Sequence, residues 1–337
     1  MAEQNNEQLD FIAIGDMVTD AFIRIKDASV QFDLSRNTKK LCFRFGDKVP
    51  FEFVEVVRAV GNSANAAVSA SRLGLNSHLI SDVGGDEEGK KCLEVLKEDN
   101  VSTNYITTHK DFETNYHYVL WYEEERTILV KHQEYPYVLP DIKNTPKWIY
   151  LSSLAENSLP YHDAIAEYLK KNPEVNLALQ PGTFQMKLGY ERLKELYKLA
   201  KVFFCNVEEA KRILEIKDEV EIQTLLQKMH ELGPEIVVIT DGPEGAYSYH
   251  NNETWYMPMY PDPKPPTDRT GAGDSFSSTF TAALALGKDV PEALRWGPVN
   301  SMSVVQGIGA QKGLLTREKL EEFLRNAPDH YVAKKLS

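Results

Sequence analysis

The most informative stretch of this chain is Asp268-Arg269-Thr270-Gly271-Ala272-Gly273-Asp274, which runs into a small-residue, apolar segment from Ser275 to Leu286. Two glycines flank an alanine where a helix is predicted to begin, and glycine allows turns that bring successive N–H groups to one side. A helix N-terminus also has unpaired N–H groups and a partial positive charge. The stretch therefore predicts an anion site with the Asp274 carboxylate at its edge. Asp274 is then either a general base for a hydroxyl that attacks a phosphate or a residue that only stabilises the helix start.

Composition limits the kinds of protein that this chain can be. The 337 residues are 42% hydrophobic and 26% charged, as in soluble globular proteins, and no apolar run reaches the length of a membrane span. The net charge of −12 argues against general nucleic-acid binding. The three cysteines have no metal-ligand spacing, and the polar start lacks the pattern of a secretory signal. We expect a cytoplasmic protein that has neither nucleic acid nor membrane as a partner.

Strands and helices alternate after Lys147, which predicts parallel βαβ units with helices on both faces of a sheet. Earlier segments are rich in strand patterns. The segments 41–45 and 51–54 are predicted to form a strand pair or a small sheet, and 116–122 and 127–132 a further antiparallel pair. The prediction is one α/β domain with a small β-rich elaboration and a loosely held tail of about ten residues.

Polar clusters follow several predicted strands, where binding groups are usually presented. Asn206 and Glu209 are spaced to form a capping box, or they order the water shell of a magnesium ion. Thr240 to Gly245 is either a turn or a glycine-rich loop that admits a nucleotide. The polar group Gly61-Asn62-Ser63-Ala64-Asn65 opens a helix and favours a polar ligand. Asp16 and Asp20 are turn residues or acceptors for sugar hydroxyls.

Other common sites are not predicted. The eight histidines are scattered, and their positions are typical of surface or structural residues. The chain has no Walker A sequence, and Gly307-Ile308-Gly309 lacks the spacing of a dinucleotide fingerprint.

In order along the chain, these clusters resemble the motifs of the ribokinase-like (PfkB) family of carbohydrate and nucleoside kinases. The resemblance covers about Phe11 to Leu324. It implies a three-layer α/β fold with a mostly parallel central sheet and a small β-sheet lid. It implies a single catalytic domain at 9–326, lid segments at about 21–57 and 114–135, and a tail at 327–337.

The resemblance also implies roles for individual residues. Asp274 matches the position of the family's catalytic base. Gly271, Ala272 and Gly273 match the turn before it, which in the family binds the transferred phosphoryl group. The remaining matches are Asn206 and Glu209 for phosphate and, through water, for Mg²⁺; Thr240, Gly242 and Gly245 for the nucleotide; Asn300 near the adenine; Gly61, Asn62 and Asn65 for the sugar; and Asp16 and Asp20 for its hydroxyls. Val60 stands where the family usually has a glycine, and Arg269 where it often has a threonine.

The implied activity is ATP-dependent phosphorylation of a primary hydroxyl of a sugar, with ATP and Mg²⁺, and with a monovalent cation such as K⁺ as a further expectation. A nucleoside kinase is the alternative, with the base stacked on Phe43 or Phe45. A non-catalytic nucleotide- or sugar-binding regulator is an alternative of another class. The family also implies homodimerisation through the lid.

Overall fold

The computed structural model describes residues 8–33 and 38–336, and their strands and helices alternate along most of the chain. The strands are β1 (Phe11–Ile14), β2 (Val18–Ile25), β3 (Ser29–Asp33), β4 (Thr38–Cys42), β5 (Phe51–Val60), β6 (Ser77–Gly84), β7 (Ser102–His109), β8 (Tyr116–Tyr122), β9 (Glu125–Lys131), β10 (Trp148–Leu151), β11 (Asn176–Leu179), β12 (Ala200–Asn206), β13 (Ile236–Thr240), β14 (Ala246–His250), β15 (Glu253–Met257) and β16 (Lys334–Lys335). The helices are α1 (Asn62–Arg72), α2 (Glu87–Glu98), α3 (Leu159–Lys171), α4 (Thr183–Leu188), α5 (Tyr190–Leu199), α6 (Val207–Ile213), α7 (Ile222–Glu231), α8 (Ala272–Ala285), α9 (Val290–Val304) and α10 (Arg317–Arg325).

A central sheet has the strand order β16-β15-β14-β13-β12-β11-β10-β1-β6-β7. The strands from β13 to β7 are parallel, and the three at the other edge are antiparallel. Helices cover both faces of the sheet, which explains the continuous apolar runs of the inner parallel strands β1, β10 and β13. The predicted mostly parallel α/β sheet is confirmed.

Two separate hydrophobic cores lie on the two faces of this sheet. In β1, Phe11 and Ala13 face a core shared with α1, α2, α8, α9 and α10. Ile12 and Ile14 face the other core, which is shared with α3, α5, α6 and α7. This alternation follows from the period of two in a strand, and it produces three layers.

A smaller sheet of order β5-β2-β8-β9 forms the lid, and β3 pairs with β4 in a separate ribbon. The strand pair predicted for 41–45 and 51–54 is wrong, because β4 pairs with β3 and β5 pairs with β2. The alternative of a small sheet is correct for β5. The local pattern suggested a hairpin, but β5 continues to Val60, and its buried C-terminal end pairs with β2. The predicted hairpin of β8 and β9 is confirmed.

The prediction of a loosely held tail is also wrong for residues 327–336. Tyr331 is 1% exposed, its hydroxyl donates to the Arg295 carbonyl at 2.6 Å, and its ring packs edge-on against Tyr260. Strand β16 then pairs with β15. A single buried aromatic side chain anchors this segment, and the polar composition around it concealed that contact.

Across 8–33 and 38–336, none of the helices combines the length and the apolar character needed to cross a lipid bilayer.

Candidate active site

The centre of the site is the N-terminus of α8. Gly271 precedes the helix with φ of +79°, and a Cβ at this position would lie 2.3 Å from the Cβ of Ala310. Both conditions require glycine. The Ala272 N–H donates to the Arg269 carbonyl at 3.3 Å. Gly273, by contrast, is exposed and has open space where a Cβ would be. The helix start is therefore accessible to a ligand at Gly273 rather than at Gly271.

Asp274, in the first turn of α8, is partly buried and held by two amide side chains. Asn65 Nδ2 donates to Oδ2 at 2.8 Å, and Gln180 Nε2 donates to Oδ1 at 3.1 Å. Burial raises the pKa of Asp274, and the hydrogen bonds from Asn65 and Gln180 oppose this increase. A carboxylate with a raised pKa and a fixed orientation is suited to accept a proton.

Gln180 was not predicted as a site residue. It follows β11 at the carboxyl edge of the sheet, and its Oε1 accepts hydrogen bonds from the Tyr150 hydroxyl and from Ser277 Oγ at 3.2 Å. These donors fix the amide so that Nε2 faces Asp274. Its place directly after a buried strand was the available signal, because polar residues at that edge converge on one site.

Asn65 lies on α1 and uses both ends of its amide. Its Nδ2 bonds Asp274, and its Oδ1 accepts a hydrogen bond from Gln311 Nε2 at 3.0 Å. Gln311 also donates to the Ala59 carbonyl at 2.7 Å. The structure thus gives Asn65 a contact with Asp274, while its predicted contact with substrate stays a prediction.

A cavity of about 210 Å³ adjoins Asp274. The predicted site residues that line it are Asn62, Asn206, Glu209, Thr240, Gly273 and Asp274. They come from α1, β12, α6, β13 and α8, so the fold brings together motifs that are far apart in the sequence.

Asn206 and Glu209 form a capping box at the start of α6. The Glu209 N–H donates to Asn206 Oδ1 at 2.8 Å, and Glu209 Oε2 accepts from the Asn206 N–H at 2.9 Å. Burial raises the pKa of Glu209. Within 8–33 and 38–336, no three acidic, histidine or cysteine side chains cluster as direct metal ligands. One Glu209 oxygen beside the cavity fits a Mg²⁺ ion that keeps most of its waters.

The loop after β13 divides into an open part and a packed part. Gly242 has φ of +49° and open space around its missing Cβ. Gly245 has φ of +102°, and a Cβ there would lie 2.3 Å from the Met257 carbonyl oxygen. Gly245 is therefore required by the hairpin, whereas Gly242 leaves room beside Thr240.

Asn300 does not reach this site, contrary to the prediction of an adenine contact. Its side chain is completely buried, with Nδ2 donating to Thr279 Oγ1 at 2.7 Å and Oδ1 accepting from the Leu315 N–H at 2.9 Å. Both ends of the amide hold α9 to its neighbours. Asn300 lies at the position in the chain where the contact was expected, but the side of α9 from which its side chain projects could not be derived from the sequence.

On the lid side, Asp16 already has donors from its own chain. His132 Nε2 lies 2.8 Å from Oδ2, and the Tyr137 hydroxyl donates to Oδ1 at 2.8 Å. Gly61 packs on the same turn, since a Cβ there would lie 2.7 Å from the Asp16 carbonyl oxygen. His132 was expected to be a surface or structural histidine, so its contact with Asp16 was missed.

Asp20 on β2 has a different environment. His117 Nδ1 lies 3.3 Å from Oδ1, but within the described ranges this buried oxygen has no hydrogen-bond partner. A buried acceptor without a donor fits a ligand hydroxyl. The pattern favours Asp20 over Asp16 as the free acceptor.

Comparison with known proteins identifies the family. The model of the pfkB family carbohydrate kinases matches residues 27–317. Ribokinase from Bacillus subtilis is 28% identical over 272 residues, covering 78% of this chain and 87% of the relative. A nucleoside kinase from Methanothermobacter thermautotrophicus is 26% identical over 268 residues, covering 78% and 84%.

The fold agrees with these relatives. Arabidopsis thaliana ribokinase complexed with ribose and ATP superposes with a TM-score of 0.80 at 20% identity, covering 95% of this chain and 99% of that one. The three-layer ribokinase-like fold expected from the resemblance is confirmed. The chain belongs to the pfkB family of carbohydrate kinases and is an ATP-dependent sugar or nucleoside phosphotransferase.

Proposed function

We propose that this enzyme phosphorylates a primary hydroxyl of a sugar, with ATP as donor and Asp274 as general base. The observation that carries the proposal is the Asp274 carboxylate, held between Asn65 and Gln180 beside the cavity at the start of α8. A helix start that needs only a cap would not require two further amides on its carboxylate.

In the proposed reaction, Asp274 takes the proton as the sugar oxygen attacks the γ-phosphorus of ATP. The new P–O bond forms while the bond to the β–γ bridging oxygen breaks, and ADP leaves. The N–H groups of Gly273 and Asp274 at the accessible start of α8 would stabilise the negative charge of the transferring group. The engaged N–H of Ala272 contributes less.

Glu209 and Asn206 would hold Mg²⁺ through water, and the ion would neutralise phosphate charge. This assistance is needed because the protein carries a net charge of −12, which repels a nucleotide. Thr240 and Gly242 would admit the nucleotide beside the same cavity.

Asp20, Gly61 and Asn62 would bind the sugar. The Oδ1 of Asp20, which accepts no hydrogen bond from the described residues, supports a hydroxyl ligand. The nucleoside alternative has the Methanothermobacter relative in its favour. Against it, Phe45 is fully exposed and Phe43 is 42% exposed, so neither forms a stacking pocket in this arrangement of the lid.

The test is Mg²⁺-dependent ADP formation with a panel of sugars and nucleosides. We expect one sugar to stimulate it, and Asp274→Asn to lower kcat by about 10²–10⁴-fold with little change in ATP affinity. Asp218→Asn, the same change at an exposed position, is the matched control. Near-normal turnover in Asp274→Asn would exclude the general-base role, and stimulation by nucleosides alone would favour the alternative.

We also propose that two copies associate through the lid. Its exposed side chains include Phe45, Phe51, Ile128, Leu129 and Val130, an unusual concentration of apolar residues for a surface. A second copy, which carries the same apolar surface, would cover them in a symmetric contact. Sedimentation velocity should show a dimer that Leu129→Lys converts to a monomer; a wild-type monomer would contradict the proposal.

A further inference from the structure

Arg126 connects the lid to the loop that leads into the catalytic helix. It lies on β9, yet its Nη2 donates to the Thr267 carbonyl at 3.1 Å, and its Nε lies 3.1 Å from Asp268 Oδ1. The Nε–H has no hydrogen-bond acceptor within the described ranges, so the contact with Asp268 is ionic in character. Arg126 therefore links the smaller sheet to the loop before α8.

Asp268 organises the loop before Gly271. Its Oδ1 accepts hydrogen bonds from the N–H and Oγ1 of Thr270, at 3.0 and 2.8 Å. Its Oδ2 accepts from the Gly309 N–H at 3.0 Å. The residue after Gly309, Ala310, is the one that packs against Gly271. One carboxylate thus fixes both sides of the turn that ends in the anion site.

This carboxylate has no contact with solvent. The Asp268 side chain is 0% exposed, and that of Arg126 is 16% exposed. An ionised carboxylate at such a position is costly without a nearby positive charge, and removing one partner of a buried pair leaves the other uncompensated. The guanidinium supplies this charge from the lid.

The lid holds Arg126 in place. Its guanidinium carbon lies 4.3 Å from the centre of the Trp121 ring, and Arg24 lies 4.6 Å from the same ring. The Arg24 Nη1 donates to the Glu123 carbonyl, so that side chain stays within the lid. Both arginines stack on Trp121, but of the two, Arg126 is the one that contacts Thr267 and Asp268 in the loop before α8.

We infer that Arg126 is a positioning residue: it provides from the lid the counter-charge for Asp268, so that the geometry of the anion site depends on where the lid lies. This inference rests on the proposed function, because the site it orders is the one proposed to bind the transferred phosphoryl group.

The first experiment compares Arg126→Gln with the matched control Arg24→Gln by hydrogen–deuterium exchange. We expect faster exchange in peptides that cover 267–274 in Arg126→Gln only. This measurement requires no kinase activity, so it separates a failure of this inference from a failure of the proposed function. Unchanged exchange in Arg126→Gln, or equal effects of the two variants, would overturn the inference.

The second experiment uses the acceptor found in the panel. We expect Arg126→Gln to lower kcat by about 10- to 100-fold, the scale of a small misplacement of catalytic groups, with the KM for ATP within about threefold of wild type. A loss that falls on KM alone would contradict a positioning role.

Chemical rescue tests the charge directly. Guanidinium chloride at low millimolar concentration should restore part of the kcat of Arg126→Ala, and more than KCl at equal ionic strength. Equal recovery with both salts, or none, would refute the guanidinium's role. If Arg126→Gln does not fold, Arg126→Lys decides, because it keeps the positive charge. We expect its kcat to stay within about threefold of wild type with unchanged exchange at 267–274, and a loss of kcat of about 10-fold or more would overturn the inference.

Discussion

Gln180→Met should raise the pH at which the enzyme becomes active. The substitution keeps the length of the side chain and removes the Nε2 donor that lies 3.1 Å from Asp274 Oδ1. A hydrogen bond to a charged group contributes about 1.5–3 kcal/mol, and 1.36 kcal/mol corresponds to one pKa unit. The bond stabilises the ionised form, so its loss should raise the pKa of Asp274 and lower kcat/KM on the acidic limb by about 10- to 100-fold, the equivalent of that free energy.

The direction follows from the role of the base. Asp274 must be ionised to accept a proton, so activity is lost as the pH falls through its pKa. Burial already raises the pKa of Asp274 in the wild type, and Gln180→Met should move the acidic limb of kcat/KM further toward neutral pH. The assay is ADP release from pH 4.5 to 9 with the preferred acceptor.

The change should be local. The Tyr150 hydroxyl and Ser277 Oγ lie 2.7 Å apart, so they keep each other as partners when Gln180 Oε1 is removed. Gln223→Met, at an exposed position on α7, is the matched control and should have the wild-type profile. An acidic limb that does not move in a folded Gln180→Met enzyme would refute the assignment of Asp274 as the titrating base.

Four further substitutions test the packing around the site and of the C-terminal segment. Gly271→Ala should lower kcat and destabilise the fold by more than about 1 kcal/mol in urea denaturation, because position 271 has φ of +79° and a Cβ there clashes with Ala310. Gly273→Ala should keep wild-type stability in the same assay and weaken ATP binding. Asn300→Ala should cost about 1–3 kcal/mol in the same denaturation assay and leave the KM for ATP unchanged; an increase in that KM would restore the adenine contact. Tyr331→Ala should cost about 3–5 kcal/mol, and a loss below about 1 kcal/mol would mean that the segment is loosely held after all.

The sequence predicted the parallel sheet and the position of Asp274, because both depend on local patterns. The alternation of strands and helices identifies βαβ units, and Gly271 to Asp274 is a continuous motif at a helix start. Asn206 and Glu209 lie beside the cavity, as expected of polar residues that follow parallel strands and share one edge of the sheet, while their role with Mg²⁺ stays a prediction.

The contacts that orient the base could not be predicted in the same way. Gln180, Asn65 and Gln311 come from distant parts of the chain, and nothing in one sequence states which amide faces which carboxylate. The pairing of β4 failed for a related reason: a strand pattern gives the period of a strand but not its partner. Asn300 illustrates the same limit. It lies at the position in the chain where a ligand contact was expected, but its side chain faces the protein interior.

The position of β1 has a consequence for how the protein is made. Phe11–Ile14 lies between β6 and β10, and the lid strands occupy much of the chain that separates it from Trp148. Synthesis from the N-terminus therefore presents an apolar, unpaired edge of β1 until the ribosome has released the strand at Trp148. For that interval the nascent chain exposes a template for aggregation. Its yield in cells should depend on chaperone capacity and on translation speed between these two strands.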